Sequence, residues 1–252
     1  MTNENFAAQS YAPRASAYVT SAVHAGGADL DQMEALLAGR GLGRVLDLGC
    51  GGGHVSYRAA PHVGAVVAVD VTPTMLEGVA AEAARRGLAN ITVRQGAAEA
   101  LPLDDAGFDA VLCRFTAHHW ADVQAGLREA RRVAKPGALG VFIDTVAPEA
   151  RALDTHLQAV ELLRDPSHVR NYAASEWRAA LVAAGWGVEE VTLRRLPLGF
   201  AAWITRTQTP PEVVAAIQRL WAAAPPAARA AFEVTADYSF TLDNAVFVVR
   251  AG

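Results

Sequence analysis

Three groups of residues in this 252-residue chain have the type and spacing to do chemistry. The first is the run Val45-Leu46-Asp47-Leu48-Gly49-Cys50-Gly51-Gly52-Gly53. Glycines at alternate positions 49, 51 and 53 let a backbone turn sharply and let a ligand approach with no Cβ in the way. Asp47 sits inside the apolar part of the run, where an unpartnered carboxylate is costly. A polar or cationic group must await it. The second is Asp70, which ends the next apolar run. In nucleotide-binding α/β folds an acid there accepts hydrogen bonds from ribose hydroxyls, and bonds to a charged acceptor are strong. Loop capping is the plainer role, but Thr72 already suits it. The third is Cys113-Arg114-Phe115-Thr116-Ala117-His118-His119-Trp120. Imidazole titrates near neutrality, so His118 and His119 are candidate general bases. The plainer reading has one histidine bonding a loop carbonyl and the other packing on a ligand. Trp120 reads as a pocket wall or a core residue.

Strand-like and helix-like segments alternate from residue 44 to 145. Strands are predicted at 44–48, 65–70, 91–95, 108–113 and 138–144, with helices at 53–60, 73–86 and 122–134. That rhythm argues for a parallel sheet covered by helices on both faces. Thr72 is a suitable N-cap and Pro73 a suitable first helical residue. Gly87 stops that helix. Asp122 is placed to cap the next, which Lys135-Pro136-Gly137 ends. An amphipathic N-terminal helix is expected over 8–25. After residue 145 helices are expected at 148–164 and 175–184, separated by Arg164-Asp165-Pro166-Ser167. A strand at 187–194 follows, then helices near 200–206, 211–223 and 226–233 and a last strand from Phe240 to Arg250.

Composition narrows the function. Apolar residues make up 52% of the chain, enough for a sizeable core, and one domain over 1–252 is expected. The formal charge of −4 comes with no basic stripe, which argues against nucleic acid as a partner. Cys50 and Cys113 are far apart and lack metal-like spacing, so no disulfide framework or metal site is expected. The start is polar and acidic, unlike a signal peptide, and Val63–Val71 is too short to span a bilayer. A cytoplasmic protein with no membrane partner, monomer or homodimer, is the expectation.

The Asp-x-Gly-x-Gly-x-Gly arrangement resembles the first motif of class I S-adenosylmethionine (SAM)-dependent methyltransferases. The rival dinucleotide fingerprint G-x-G-x-x-G would need a glycine where His54 stands, and it makes no demand for Asp47. Blocks at Val45–Gly53, Val69–Leu76, Gly96–Pro102, Phe108–Trp120 and Lys135-Pro136-Gly137 together resemble a bacterial small-molecule branch related to the quinone C-methyltransferases. Within it, Cys113–Trp120 and Arg164-Asp165-Pro166-Ser167-His168-Val169-Arg170-Asn171-Tyr172 resemble a subgroup of their own.

The resemblance implies a Rossmann-like α/β fold. Its sheet has seven strands in the order 3-2-1-4-5-7-6, strand 7 antiparallel, with helices on both faces and a helical cap at about 146–185 over the acceptor pocket. It implies that SAM, spent as S-adenosyl-L-homocysteine, meets Asp47, Gly49, Cys50, Gly51, Gly53, Asp70, Val71 and Met75, with no metal. Many such enzymes carry Gly-Asp-Ala after the third strand, the acid reaching adenine. Ala97 stands at that place here, so backbone near Ala97 and Ala98 holds the base or Glu99 compensates. Carbonyls near Cys113 could receive the amino group of SAM. Arg114 either pairs with its carboxylate or is a solvated arginine.

On the acceptor side, His168, Arg170, Asn171 and Tyr172 either orient an anionic or hydroxylated acceptor or form a hydrogen-bonded hinge for the cap. Tyr11, Arg14 and Tyr18 either close over the cofactor or pack a helix. The implied reaction is in-line methyl transfer to a small aromatic or otherwise apolar metabolite, His118 slightly preferred over His119 as base. Arsenite methylation would need more cysteines. The rival classes are a SAM-binding protein with regulatory or non-methyl chemistry, and a nicotinamide oxidoreductase.

Overall fold

A computed structural model describes residues 3–14 and 26–252. Its centre is a seven-stranded sheet in the order β3-β2-β1-β4-β5-β7-β6. The strands are β1 Arg44–Leu48, β2 Ala65–Asp70, β3 Ile91–Gln95, β4 Phe108–Arg114, β5 Ala134–Val146, β6 Trp186–Leu198 and β7 Phe240–Ala251. β1 to β5 pair in parallel, and β7 runs antiparallel to both β5 and β6. The expected order and the one reversed strand are therefore the observed ones.

Val45, Leu46 and Leu48 of β1 and Val66, Val67 and Val69 of β2 are all buried. Such runs suit a parallel sheet covered on both faces. One face packs Leu46, Val69, Val111 and Phe247 under helices α5 (Val123–Val133) and α7 (Ala174–Ala183). The other packs Val45, Val66, Ala110 and Val141 under α2 (Ala28–Leu37) and α3 (His54–Ala59). Helix α4 (Pro73–Arg85) joins Tyr57 and Ala68 through Leu76 and Val79. Asp122 caps α5 as expected, its Oδ1 accepting the Ala125 N–H at 2.9 Å. Thr72 precedes α4, but its side chain makes no cap bond.

Four features depart from expectation. The N-terminal helix α1 runs from Asn3 to Tyr11 and gives way to a 3₁₀ turn at Ala12–Arg14. Pro13 explains the change, since it has no N–H to continue the ladder. The rest of the expected 8–25 helix, with Tyr18, lies outside the described residues. Helix α2 was not foreseen, although Leu30, Met33 and Leu37 are buried at helical spacing. The cover over the carboxyl edge of the sheet is not the 146–185 insertion as a unit. Trp177 and Leu181 of α7 belong to the core of the sheet. The cover is α6 (Arg151–Arg164) with α8 (Phe200–Arg206), α9 (Pro211–Ala223) and α10 (Pro226–Ala231), which share a core of Leu157, Val160, Trp203, Ile217 and Trp221. β6 is also longer than expected, reaching Leu198.

Candidate active site

The strand order reverses between β1 and β4, and ligands in open α/β sheets bind beyond the carboxyl ends at such a point. A cavity of about 350 Å³ lies there. Its wall takes in the turns after β2, β1 and β4, then Thr145 at the end of β5, Leu242 at the start of β7, and Leu196 and Leu198 at the end of β6. Those strands lie side by side, so at about 4.8 Å per step the wall extends roughly 24 Å along the sheet edge.

The first end is built mostly from backbone. Gly49 and Cys50 both donate N–H to the Val69 carbonyl at 2.9 Å, tying the turn to β2. Gly49 (φ +70°) leaves no room for a side chain, because a Cβ would run into Thr116. Gly51 (φ +48°) is the opposite case, since a Cβ there would meet nothing within 4 Å. Its surface is bare backbone facing open space. Asp70 Oδ2 accepts the Gly51 N–H and Oδ1 the Thr72 N–H, each at 2.9 Å. Burial pushes the Asp70 carboxyl above its usual range, and the two backbone N–H groups oppose that. Each oxygen retains capacity for a further donor. Val71 and Met75 complete this wall. A side cleft of about 60 Å³ beside Asp70 is lined by Gly96, Ala98, Glu99, His119 and Trp120.

The second end is built from side chains. After β4 the chain enters the left-handed region at Phe115 (φ +52°). A bulky residue there carries strain of about 1–3 kcal/mol. The twist starts the 3₁₀ turn Ala117–His119 and brings His118 and His119 to the cavity. His118 Nδ1 lies 2.6 Å from Asp144 Oδ1 near the end of β5. Asp144 is 1% exposed and also accepts the Thr145 N–H at 2.9 Å. Burial disfavours a charged His118, but the charge and hydrogen bond of Asp144 outweigh it and raise the imidazole above its ordinary value. His119 is held differently, with Nε2 2.9 Å from the Tyr11 hydroxyl and Nδ1 3.1 Å from the Ser167 carbonyl. Burial and the neighbouring His118 push it down to about 4. Tyr11 donates to Asp165 Oδ2 at 2.6 Å. Burial would raise Asp165, but His119 and the Tyr11 and Ser167 hydrogen bonds hold it well below the usual carboxylate range.

Of the residues expected at the cofactor, Gly49, Cys50, Gly51, Asp70, Val71, Met75 and Arg114 line the main cavity, and Ala98 and Glu99 the side cleft. Asp47, Gly53, Ala97 and Cys113 line neither. Asp47 is spent inside the protein. Its Oδ2 accepts both the N–H and the hydroxyl of Ser56, at 3.0 and 2.6 Å, which pins α3 against β1. Burial raises Asp47 to about 7. Gly53 starts α3 in the left-handed conformation, with the Tyr57 ring where a Cβ would stand. Glu99 Oε1 accepts the Ala121 N–H at 2.8 Å, so it braces the entry to α5. Arg114 is not solvated, for its Nε lies 2.6 Å from Asp29 Oδ2 and both side chains are nearly buried.

Of the expected acceptor residues, Tyr11 and His118 line the cavity and Trp120 the side cleft, packed over Gly126. His168, Arg170 and Tyr172 do not line it, and the hinge reading describes them. His168 Nε2 bonds Gln158 Oε1 at 2.9 Å, and Arg170 pairs with Asp154 at 2.8 Å. The Tyr172 carbonyl accepts the Ala147 N–H at 3.1 Å. Val169 and Arg170 donate backbone N–H to the His118 carbonyl at 2.8 and 3.1 Å, so this segment straps the cover to the turn that carries His118 and His119. Burial, with His118 and His119 nearby, drives His168 down to about 2.

Sequence reasoning missed Asp29, Asp144, Glu161, Trp203 and Arg206. Helical spacing around Leu30 could have drawn attention to Asp29. Asp144 stands at the end of an apolar strand much as Asp70 does. No local pattern marks the other three.

Residues 46–142 match a family model described as a methyltransferase domain. The protein YafE of Escherichia coli (strain K12), of uncharacterized function, is 44% identical over 191 residues, 76% of this chain and 92% of that one. The uncharacterized methyltransferase YcgJ of Bacillus subtilis (strain 168) is 37% identical over 210 residues, 83% of this chain and 81% of its own. The YcgJ crystal structure matches with a TM-score of 0.86 at 34% identity, over 88% of this chain and 97% of that one. The crystal structure of BH2331 from Bacillus halodurans C-125 has the same TM-score, 0.86, at 31% identity, over 89% and 99% of the two chains.

Proposed function

The chain belongs to the class I SAM-dependent methyltransferases, and on that premise we propose that it transfers the methyl group of SAM to a small metabolite with an aromatic or otherwise apolar body. We place it in the small-molecule branch related to the quinone C-methyltransferases, on the sequence blocks that resemble that branch. The observation that carries the reading is the continuity of one cavity from the Gly51–Asp70 cradle to the His118–Asp144 pair.

The residues present fit the cofactor. Gly51 presents bare backbone to open space. Asp70 offers a half-buried carboxylate with acceptor capacity for two ribose hydroxyls. Ala98 and Glu99 line the cleft beside it, on the side suited to the base. Arg114, oriented by Asp29, stands near the turn where the amino-acid end would lie. Bound there, the sulfonium supplies a methyl carbon whose bond to sulfur breaks, the electron pair leaving with sulfur, as the bond to the acceptor forms.

His118 serves as the base for an acceptor that must lose a proton. With the Nδ1–H directed at Asp144, Nε2 is the basic nitrogen of a ring on the cavity wall. Asp144 fixes that tautomer and stabilises the imidazolium formed when the proton arrives. Trp203, Leu196, Leu198 and Leu242 give the acceptor an apolar wall that excludes water, which strengthens the electrostatics within. The largest contribution is alignment, for which effective molarities of about 10⁵–10⁸ M are known.

The test is calorimetry with SAM followed by incubation with methyl-labelled SAM and a panel of aromatic and alicyclic acceptors and cell extracts. Saturable SAM binding and label transfer with stoichiometric S-adenosylhomocysteine are expected. A folded sample giving no heat with SAM would overturn the reading. Tight SAM binding with no turnover on any extract would move the protein to the regulatory or non-methyl class.

A further inference from the structure

Three carboxylates line the cavity among the described residues, and two of them have partners at short range. Asp29 holds Arg114 at 2.6 Å, and Asp70 accepts the Gly51 and Thr72 N–H groups at 2.9 Å. The third is Glu161, which stands on α6 one turn before Arg164. It is 7% exposed, so its carboxylate has left bulk water. Its Oε2 lies 3.6 Å from Arg164 Nη1, too long for a hydrogen bond. Arg164 is turned the other way, with its guanidinium 4.8 Å over the Trp203 ring and its Nε donating to the Trp203 carbonyl at 3.1 Å. Neither Glu161 oxygen takes a hydrogen bond from a described residue, and neither is sealed inside the protein, so both open on the cavity.

A carboxylate kept from water and without a hydrogen-bonded donor is costly. The position therefore calls for a donor that arrives with a ligand. Burial raises the Glu161 carboxyl above its ordinary value, Arg164 and His118 pull it back, and Asp165 and Arg206 act more weakly in opposite senses. The charge of Arg164 disfavours an ammonium group beside it, and the carboxylate itself disfavours an anion. A neutral hydroxyl meets neither objection. It donates to the carboxylate in a charge-assisted bond. Glu161 and His118 line the same cavity and act on each other's ionisation. Trp203, Leu196, Leu198 and Leu242 give that end its apolar wall.

We propose that Glu161 is a specificity-determining residue of the acceptor site, its carboxylate accepting a hydrogen bond from a neutral hydroxyl of the methyl acceptor. The apolar body of the acceptor lies against Trp203 and Leu242. A second position of the same molecule, the one that takes the methyl group, faces His118. The proposal rests on the methyltransferase reading and narrows its acceptor to apolar molecules that carry a hydroxyl apart from the methylated atom. His168 and Arg170, expected from sequence to orient such an acceptor, are instead satisfied by Gln158 and Asp154.

The test is NMR titration of the full chain saturated with S-adenosylhomocysteine, using benzyl alcohol, benzyl methyl ether and benzylammonium as probes. Benzyl alcohol should bind about tenfold or more tighter than the ether, as a hydrogen bond to a charged group allows. Glu161→Leu should bring the two within twofold by weakening the alcohol and tightening the ether, a gain that misfolding does not produce. Glu161→Gln keeps an acceptor oxygen and should retain at least a threefold preference for the alcohol. S-adenosylhomocysteine affinity should stay within twofold in both variants. Four results would overturn the role of Glu161 while leaving the methyltransferase reading intact: an ether that binds as tightly as the alcohol, no binding of any probe, benzylammonium binding tighter than the alcohol, or an E161L variant that keeps the preference. The last would mean that Glu161 only balances Arg164. Failure of the wild-type protein to bind S-adenosylhomocysteine would overturn both.

Discussion

The two ends of the cavity are made in different ways. At the end proposed for the cofactor a short stretch of chain, Gly49 to Gly52, presents backbone to the cavity, and a carboxylate from the next strand fastens it. At the acceptor end the surface is side chains: His118 from the turn after β4, Glu161 and Arg164 from α6, Trp203 and Arg206 from α8. Backbone recognition needs glycine at fixed spacing, so it leaves a pattern in sequence. Side-chain recognition needs only that separate helices end in the same place. It can be rewritten one residue at a time without disturbing the sheet, which is how one fold serves many acceptors.

The largest effect should follow from breaking the cofactor end. Asp70→Ala removes the acceptor of the Gly51 and Thr72 N–H groups and, on the proposed reading, the partner of the ribose. Lost hydrogen bonds to a charged group are worth about 1.5–3 kcal/mol each, so SAM affinity should fall at least about 100-fold in calorimetry. A loss under fivefold, with circular dichroism unchanged, would mean that Asp70 only shapes the turn. His118→Ala addresses the other end and should spare SAM binding within about threefold. Turnover should drop by about 10²–10³, within the range usual for loss of a general base. A variant that loses SAM affinity and keeps turnover would invert the division between the ends.

A smaller effect separates orientation from charge. On the proposal that neutral His118 is the base, the rate should rise with pH along a limb that lies above the ordinary histidine value of about 6.5, because Asp144 raises it. Asp144→Asn removes the two largest contributions that raise His118 and leaves burial, which lowers it, against the weaker pull of Glu161 and Asp165. The limb should move to lower pH, and turnover should fall at least about tenfold as the tautomer loses its anchor. A limb that stays in place would show that some other group titrates.

The same contrast explains what could be read from sequence. The strand order, the glycine turn and Asp70 came from alternation, glycine spacing and family resemblance. They are local patterns, and the structure places them at one edge. Asp47 was legible as a buried acid needing a partner, but the partner is Ser56, nine residues on, and not a ligand. The cap was misplaced because sequence treated 146–185 as one insertion. Trp177 and Leu181 send α7 to the sheet, while Trp203 and Trp221, from beyond β6, close the cavity cover. Trp203 and Arg206 carry no signal until α8 is seen to reach the cavity that α6 also lines.

The smallest effect tests the strap that joins the two ends. His168 is buried and His119 half-buried, and their surroundings push the two imidazoles down to about 2 and about 4. In the unfolded chain both titrate near 6.5. Below that pH the unfolded state binds protons that the folded state refuses, so stability falls as pH falls. Each histidine contributes a slope of about 1.4 kcal/mol per pH unit, together about 2.7. The contribution of His119 ends near pH 4, and that of His168 continues below it. Carboxylates that are depressed in the folded state, such as Asp165, add their losses only at pH values under about 3.9. Asp47, raised by burial to about 7, works against the histidines across the same window, because the folded state holds a proton that the unfolded state releases above about 3.9. Urea melts between pH 6 and 4.5 therefore isolate a histidine through the difference between variant and wild type. His168→Gln should lower the slope by about 1.4 kcal/mol per pH unit relative to wild type while leaving SAM affinity at pH 7.5 unchanged, since His168 does not line the cavity. An unchanged slope would mean that His168 takes up its proton without unfolding the strap, and that the cover moves more freely over His118 than its hydrogen bonds to the His118 carbonyl imply.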